Sequence, residues 1–306
     1  MKFIVYTLAI FILSLCGTFW NITSDLLNVD DSVSGWTIPP PPEDQDVGEL
    51  IDSIPESPQF NDEDIIARTE NFTFYSQDGY FPVDLDQFQL KSELVFRHIS
   101  RQLNLPYDGQ IKVTFLPPMP ANGTCVVRGL ANFDRQGNPQ TTIFADENTS
   151  QEYLLGVLAH EVGHNIFMHN FDVEHTELNE GIATWASRRY WSIWQESPSL
   201  EENVVTYIED DTYVPLSIGL DNRAYSGATC LVHRDIVYTE WASFVGYLID
   251  QYGMDKFIEL ALTETVIIDE DYVTESLQPD YYVVYGLSLD ELEKMWLESI
   301  SYETNR

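Results

Sequence analysis

The sequence predicts an α+β fold, in which a small N-terminal sheet is followed by a helical subdomain. Three short runs rich in β-branched and aromatic residues are typical of strands: residues 71–75, 111–115 and 141–145. After residue 150 the apolar residues recur at helical spacing instead. One helix precedes this change, because residues 86–103 also place their apolar side chains at helical spacing.

Four helices are predicted after residue 150, from capping signals or from apolar residues that repeat on one face. They cover residues 150–169, 178–194, 241–252 and 288–296. Thr149 and Glu152 have the Thr-x-x-Glu spacing of a capping box, which begins the first of these helices. Ser288 and Glu291 repeat that spacing at the start of the last helix.

The chain is rich in apolar residues and strongly acidic. Apolar residues make up 44% of its 306 residues, which is enough for a sizeable core and excludes wholesale disorder. Fifteen Lys and Arg stand against 50 Asp and Glu, a formal net charge of −35. Such a surface repels phosphate groups, so we expect no nucleic-acid partner. It also repels an anionic membrane surface, so any membrane tether must be hydrophobic.

The N-terminal residues predict export to the cell surface or the extracellular space. Residues 1–19 contain one lysine and then an uncharged apolar run, which is typical of a signal peptide or a membrane anchor. A third interpretation of this segment is a lipidation site at Cys16, although Leu15 departs from the small residue that such sites prefer. Residues 20–64 are acidic and proline-rich and predict a disordered linker. The folded domain is expected over residues 65–306.

Residues 160–164 read His-Glu-x-x-His within the first helix after residue 150. Residues four apart lie on the same helix face, so His160 and His164 can bind one metal ion together. Glu161 lies beside them, where it can reach a metal-bound water but is wrongly placed to be a third ligand. A catalytic zinc site needs three protein ligands and an open position. Glu180, in the next helix, is the candidate for the third.

Other residues near this motif could provide an alternative ligand set. His169 and His175 follow the motif closely and are rival ligands. The metzincin pattern requires Gly and His where this chain has Phe167 and Asn170, so that pattern is excluded. The remaining alternative is that all of these groups are polar side chains on helix surfaces.

Residues 160–164, followed by residues 179–183, resemble the gluzincin metallopeptidases, most closely the peptidase MA-like group. Thermolysin and the aminopeptidases are more distant relatives, with a longer gap before the glutamate. Residues 238–253 are similar to the helix that follows the zinc site in this family, and residues 289–296 to its closing helix. The resemblance covers roughly residues 70–300 and implies a zincin-like peptidase domain.

The resemblance implies a role for each matching residue. His160, His164 and Glu180 would bind Zn²⁺, with a water molecule in the fourth position. Zinc would lower the pKa of this water toward ~7, and Glu161 would accept its proton as the water attacks a carbonyl carbon. Glu161 would then give the proton to the leaving amine.

The resemblance also implies groups that assist these residues. The oxyanion of the tetrahedral intermediate requires a second donor beside zinc, and Tyr238 matches the family position, with His233 and Tyr225 as rivals. Thr184, one turn after the third ligand, either supports a ligand or is an ordinary helix-face threonine. In relatives an extended peptide pairs with the strand before the zinc helix, here residues 141–146.

These features predict an exported zinc-dependent metallopeptidase whose substrate is a peptide or a protein. The alternative is a surface-tethered binding module that keeps a zinc-stabilised gluzincin fold without turnover. Glu161 favours the enzyme, because zinc binding alone does not require a base at that position. The converging ligand set disfavours a purely structural exported protein.

Three further features have more than one interpretation. His98 lies on the apolar face of the first predicted helix, which is typical of a core or rim histidine rather than a ligand. Cys125 and Cys230 either form a disulfide or remain as two core thiols. The acidic runs 209–211 and 269–271 lack the spaced oxygen ligands of a calcium loop, so we expect them to be solvated.

Overall fold

Five strands of the domain form one mixed sheet. The computed structural model describes residues 64–76, 81, 83–118, 128–134, 137–173, 175–195, 199–219, 230–263, 265–269 and 274–303. The strands of the sheet are β1 (Ile65–Arg68), β2 (Phe72–Ser76), β3 (Ile111–Leu116), β4 (Gly129–Phe133) and β5 (Pro139–Phe144). Their order across the sheet is β1-β2-β3-β5-β4.

The pairing of the strands determines which of them has a free edge. β2, β3 and β5 run parallel to one another, whereas β1 and β4 are antiparallel to their neighbours. β5 lies between β3 and β4, and all of its residues are buried. The expectation that residues 141–146 offer a free edge to a peptide is therefore wrong. Among the described strands, β4 holds the edge position on this side of the sheet.

Helices make up most of the rest of the described chain. α1 (Leu85–Leu103) connects β2 to β3, and α2 (Gln151–Asn170) follows β5. The later helices are α3 (Thr176–Ala186), α4 (Arg188–Gln195), α5 (Leu200–Glu209), α6 (Leu216–Gly219), α7 (Cys230–Tyr252), α8 (Met254–Ala261), α9 (Tyr281–Tyr285) and α10 (Leu289–Glu303). A two-stranded antiparallel sheet of β6 (Thr265–Asp269) and β7 (Thr274–Gln278) lies between α8 and α9 in sequence. The predicted α+β class is confirmed.

The helix starts follow the predicted capping chemistry with one shift. At α10, the backbone N–H of Glu291 donates to the Ser288 hydroxyl (3.2 Å), and the Ser288 N–H donates to the Glu291 carboxylate (2.9 Å), which is the predicted capping box. At α2 the cap is Ser150 rather than Thr149. The Ser150 hydroxyl accepts from the backbone N–H of Tyr153 (3.1 Å), while the Thr149 hydroxyl bonds within the preceding turn.

The single helix predicted over residues 178–194 is two helices, α3 and α4, separated at Ser187. The Ser187 hydroxyl donates to the backbone carbonyl oxygens of Ala183 (2.8 Å) and Thr184 (3.2 Å). Such side-chain bonds compete with the helical ladder and favour a change of direction. The break places α4 against α2, where its side chains approach the histidine motif.

α2 is a core helix rather than a surface helix. Residues 154–167 of α2 are all buried, because α1, α3, α4, β4 and β5 pack around it. Aromatic side chains of α1 and the sheet fill the space on one side, including Phe72, Phe74, Phe88, Phe96 and Phe115. Polar groups placed in this helix are therefore out of water and require partners.

Several predictions concern parts of the chain that the structure does not describe. The signal or anchor at residues 1–19, the linker except for Asp64, and both Cys125 and Tyr225 lie outside the described residues. Cys230 and His233 lie in α7, but their side chains are outside the description. None of the described helices has the length and apolar character needed to cross a membrane.

Candidate metal centre

The centre forms where α2 and α3 cross at close range. His160 and His164 lie one turn apart on α2, and Glu180 lies on α3. A Cβ atom at Gly163 would lie 2.9 Å from the Cα of Ala183, closer than real contacts allow. The missing side chain at Gly163 thus lets the two helix backbones approach and brings Glu180 to the histidines.

Three ligand atoms converge on one point. The Nε2 atoms of His160 and His164 are 2.9 Å apart. The Glu180 Oε2 atom lies 3.0 Å from the first and 3.2 Å from the second. Among the described residues, these three side chains form the group that could hold a metal ion. The structure therefore brings together all three predicted ligands.

A second layer of side chains orients the imidazoles. The Nδ1 atom of His164 lies 3.2 Å from the Asn179 side-chain oxygen, which can only accept, so this nitrogen is the donor. The Nδ1 atom of His160 lies 3.2 Å from the Thr184 hydroxyl. A proton on each Nδ1 leaves each Nε2 lone pair free for a metal. Thr184 thus contacts one predicted ligand, and Asn179, which was predicted only as part of the motif, contacts the other.

The charges of the centre favour a cation. Both histidines are buried, and the Glu180 side chain is 19% exposed. Burial alone raises the pKa of Glu180, but the two imidazoles outweigh it and hold this pKa well below its ordinary value. Burial alone lowers the pKa of His164, but the Glu180 carboxylate outweighs it and raises the pKa to about 9. The carboxylate is thus held in its anionic form, which a metal ion would require.

Glu161 lies beside the ligands and against the edge of the sheet. Its side chain is outside the ligand group and is only 6% exposed. A Cβ atom at Gly129 of β4 would lie 2.3 Å from the Glu161 Oε1 atom. The absence of a side chain at Gly129 therefore makes room for the carboxylate beneath β4. The Asn165 amide donates to the Glu161 carbonyl oxygen (2.9 Å) and to the Thr141 hydroxyl (2.7 Å), which fixes this turn of α2 to β5.

Tyr238 of α7 packs against His160. Its ring stacks on that of His160, with centroids 5.9 Å apart and an interplanar angle of 11°. Trp191 of α4 packs against both rings, tilted against His160 with centroids 5.5 Å apart and stacked on Tyr238 with centroids 6.3 Å apart. Its indole N–H donates to the Thr239 hydroxyl (3.3 Å). Sequence reasoning missed Trp191, because its role depends on the break at Ser187.

An ion pair joins the edge strand to the helix that carries Tyr238. The Arg128 guanidinium, just before β4, contacts both carboxylate oxygens of Asp235 on α7 at 2.9 and 3.4 Å. Both side chains are about one-fifth exposed, at 22% and 20%. Because Asp235 lies one turn before Tyr238, this pair links the position of Tyr238 to that of β4 and Glu161.

The rival ligands lie elsewhere. The Nε2 atom of His175 contacts the Thr263 carbonyl oxygen (2.7 Å), where it fixes the start of α3. The ring of His169 packs on Tyr107. His98 contacts the Tyr190 ring between α1 and α4, as expected for a rim histidine. Neither His169 nor His175 belongs to the ligand group.

Comparison of the chain with protein-family models and with curated proteins finds no match.

Proposed function

We propose that this protein is a zinc-dependent metallopeptidase with a zincin-like fold, of the gluzincin type and most similar to the peptidase MA-like group. The observation that carries the proposal is the convergence of the His160, His164 and Glu180 ligand atoms within 3.2 Å, with Glu161 beside them. Two imidazoles and one carboxylate are a donor set that suits zinc.

The spacing of the ligand atoms also supports zinc. Two atoms that each lie 2.0–2.1 Å from a tetrahedral zinc ion are about 3.3 Å apart. The three observed separations are 2.9, 3.0 and 3.2 Å. When bound, zinc supplies Lewis acidity that activates water and polarises a carbonyl group.

The residues of the chain supply the proton transfers and the positioning. Glu161 accepts a proton from the attacking water and passes it to the leaving amine. Its position next to a ligand lets it reach the reacting atoms without occupying a ligand site. Tyr238, stacked on His160, donates a hydrogen bond to the developing oxyanion. Asn179 and Thr184 hold the two imidazoles in one tautomer.

The substrate is an extended peptide or protein segment that pairs with β4. This strand lies at the edge of the described sheet, and its first residue, Gly129, lies against Glu161. Backbone pairing along an edge strand places a peptide bond without regard to its side chains. β4 therefore replaces residues 141–146 as the strand that aligns the substrate.

A non-catalytic binding module is the second candidate. The observation that favours it is the low exposure of the site, since His160, Glu161 and His164 are each only 6–7% exposed. A module that uses zinc only for stability would tolerate such burial without loss.

The proposal also includes export, with residues 1–19 as a signal peptide or a membrane tether. Detection of the protein only in the cytosol of its native host would contradict this part of the proposal.

The experiment that separates the two candidates is Glu161→Gln in the full chain. The substitution keeps the shape and removes the proton acceptor, so cleavage of a broad peptide library should fall by ~10²–10⁴. Zinc content, measured by mass spectrometry of the metal, should remain at the wild-type level because all three ligands are intact. Wild-type rates in the variant would refute the proposed role of Glu161. A wild-type protein that holds zinc and cleaves nothing would favour the binding module.

A further inference from the structure

An exposed cluster of arginines stands out on this acidic protein. We name it the arginine surface; it consists of Arg97, Arg101, Arg188 and Arg189. The first two lie one turn apart near the end of α1, and the last two begin α4. The ring contact between His98 and Tyr190, with centroids 5.7 Å apart, brings these two helix segments together.

These arginines have no acidic partner within the described chain. By contrast, Lys112 pairs with Asp134 and Arg128 pairs with Asp235. None of the four guanidinium groups lies within 4.0 Å of a carboxylate of a described residue. Arg188 instead lies 5.2 Å above the Trp185 ring. In a chain with 50 Asp and Glu, four neighbouring arginines without an ion pair are unexpected.

The local electrostatics are unfavourable without an anion. Arg188 and Arg189 occupy the first turn of α4, where the helix dipole disfavours positive charge. The pKa of His98 is lowered by burial and then by Arg189, Arg188 and Arg101, and no carboxylate opposes them. The cluster is therefore a local positive field that an anionic ligand would stabilise.

We propose that the arginine surface binds the acidic segment formed by residues 43–56 of the same chain. This segment contains six carboxylates, at Glu43, Asp44, Asp46, Glu49, Asp52 and Glu56. No lysine or arginine occurs anywhere between residues 3 and 67. The segment is thus uniformly anionic and complementary to the surface. The proposal does not depend on the peptidase function.

Covalent attachment selects this segment over a separate partner. The net charge of −35 repels other anionic macromolecules and second copies of the chain. A tethered segment avoids most of that cost, because a linker gives it an effective concentration in the millimolar range. The sixteen residues from Glu49 to Asp64 can span up to roughly 50 Å. A domain of this size has a radius of gyration of roughly 18 Å, so the tether is long enough.

The test is zero-length carbodiimide cross-linking of the full chain with Arg101→Lys and Arg189→Lys, each made separately. Each introduced amine should form an amide with a carboxylate of residues 43–56, identified by mass spectrometry of the monomer band. The yield should fall about tenfold or more between 50 mM and 1 M NaCl, because salt shortens the screening length to ~3 Å. Lys294, an exposed amine on α10, is the matched control and should not link to this segment.

Three outcomes would overturn the proposal. The first is an absence of links from positions 101 and 189 to residues 43–56. The second is a yield from Lys294 equal to that from these positions. The third is links found only in a dimer band, which would make a second copy the partner. As a second measurement, Arg101→Glu with Arg189→Glu should increase hydrogen exchange of residues 43–56, whereas Lys256→Glu with Lys294→Glu should leave it unchanged.

Discussion

Glu180 and Glu240 are two glutamates on the packed helices α3 and α7, and their surroundings shift their pKa values in opposite directions. Glu180 faces two imidazoles, which hold its pKa well below the ordinary value. Glu240 is 1% exposed and accepts a hydrogen bond from the Val214 backbone N–H (3.0 Å). Burial, with a smaller contribution from the nearby Glu293, raises the pKa of Glu240 to about 8.

This difference shows that burial of a carboxylate does not by itself make a metal site. Glu293 accepts hydrogen bonds from the Tyr213 hydroxyl and the Leu216 backbone N–H. The carboxylates near Glu240 are therefore already paired with hydrogen-bond donors of the chain. The raised pKa favours the protonated form of Glu240, which connects α7 to the segment before α6. Glu180, in contrast, is anionic and lies beside two nitrogen atoms that need a metal or a proton between them. The neighbours therefore decide which carboxylate is a ligand.

The largest expected effect is the loss of metal from the centre formed by His160, His164 and Glu180. His160→Ala or His164→Ala removes one of the three proposed ligands. We expect the wild type to hold close to one zinc ion per chain and each variant to hold almost none. Metal analysis of the purified variants measures this. Full metal occupancy in both variants would remove these residues from the ligand set.

A second effect concerns the pH dependence of stability in the Glu240 region. Because the folded-state pKa of Glu240 is raised from 4.5 to about 8, its contribution is fully present below pH 4.5 and is lost as pH rises to about 8. Relative to Glu240→Gln, the free energy of unfolding of the wild type should fall by about 1.4 kcal/mol per pH unit over this window. Urea unfolding at pH 5, 6, 7 and 8 measures the difference.

The comparison with Glu240→Gln isolates this one group. Glu177, whose pKa is raised by burial to about 7, titrates in both proteins and cancels in the difference. Parallel pH profiles for the two proteins would show that Glu240 is ionised in the folded state throughout the window, which would contradict its raised pKa.

A smaller effect is expected from the side chains that orient the imidazoles. Asn179→Ala or Thr184→Ala should weaken zinc affinity by ~10–100-fold, because the Nδ1 atoms lose their partners. Competition with a chelator measures the affinity, and Thr184→Ser, which keeps the hydroxyl, is the matched control. Unchanged affinity in both alanine variants would show that the contacts do not orient the ligands.

The smallest effect is expected at the ion pair between Arg128 and Asp235. Asp235→Asn should lower kcat a few-fold through a shift of Tyr238 relative to β4, while zinc content stays constant. Because partly exposed ion pairs contribute only ~0–1 kcal/mol, stability should change little. The exchanged pair, Arg128→Asp with Asp235→Arg, should recover part of kcat. A kcat equal to that of the wild type in both variants would show that the pair has no positioning role.

The sequence predicts those parts of the site that depend on local spacing. His160, Glu161 and His164 follow from the period of one helix, and their helix is observed over Gln151–Asn170. Glu180 was predicted from the spacing of a motif that resembles a family pattern, and the structure shows the helix packing that brings its carboxylate to the histidines. Gly163 has no side chain there, which lets α3 approach α2.

What the sequence did not predict depends on contacts between distant residues. β4 reads Gly-Leu-Ala-Asn-Phe, which has little β propensity, and it becomes a strand because β5 pairs with it. Trp191 reaches His160 only because Ser187 ends α3. The raised pKa of Glu240 arises from burial and from Glu293, more than fifty residues away. None of these contacts leaves a periodic signal in the chain.

The most direct test of the contrast is metal content in two matched variants, Glu180→Gln and Glu240→Gln. Each replaces one carboxylate by an amide of the same shape, on helices that pack together. We predict that zinc, measured per folded chain after dialysis against a weak chelator, is lost from Glu180→Gln and stays near one in Glu240→Gln. Full zinc in Glu180→Gln, or equal loss from both variants, would contradict the assignment of Glu180 as the third ligand.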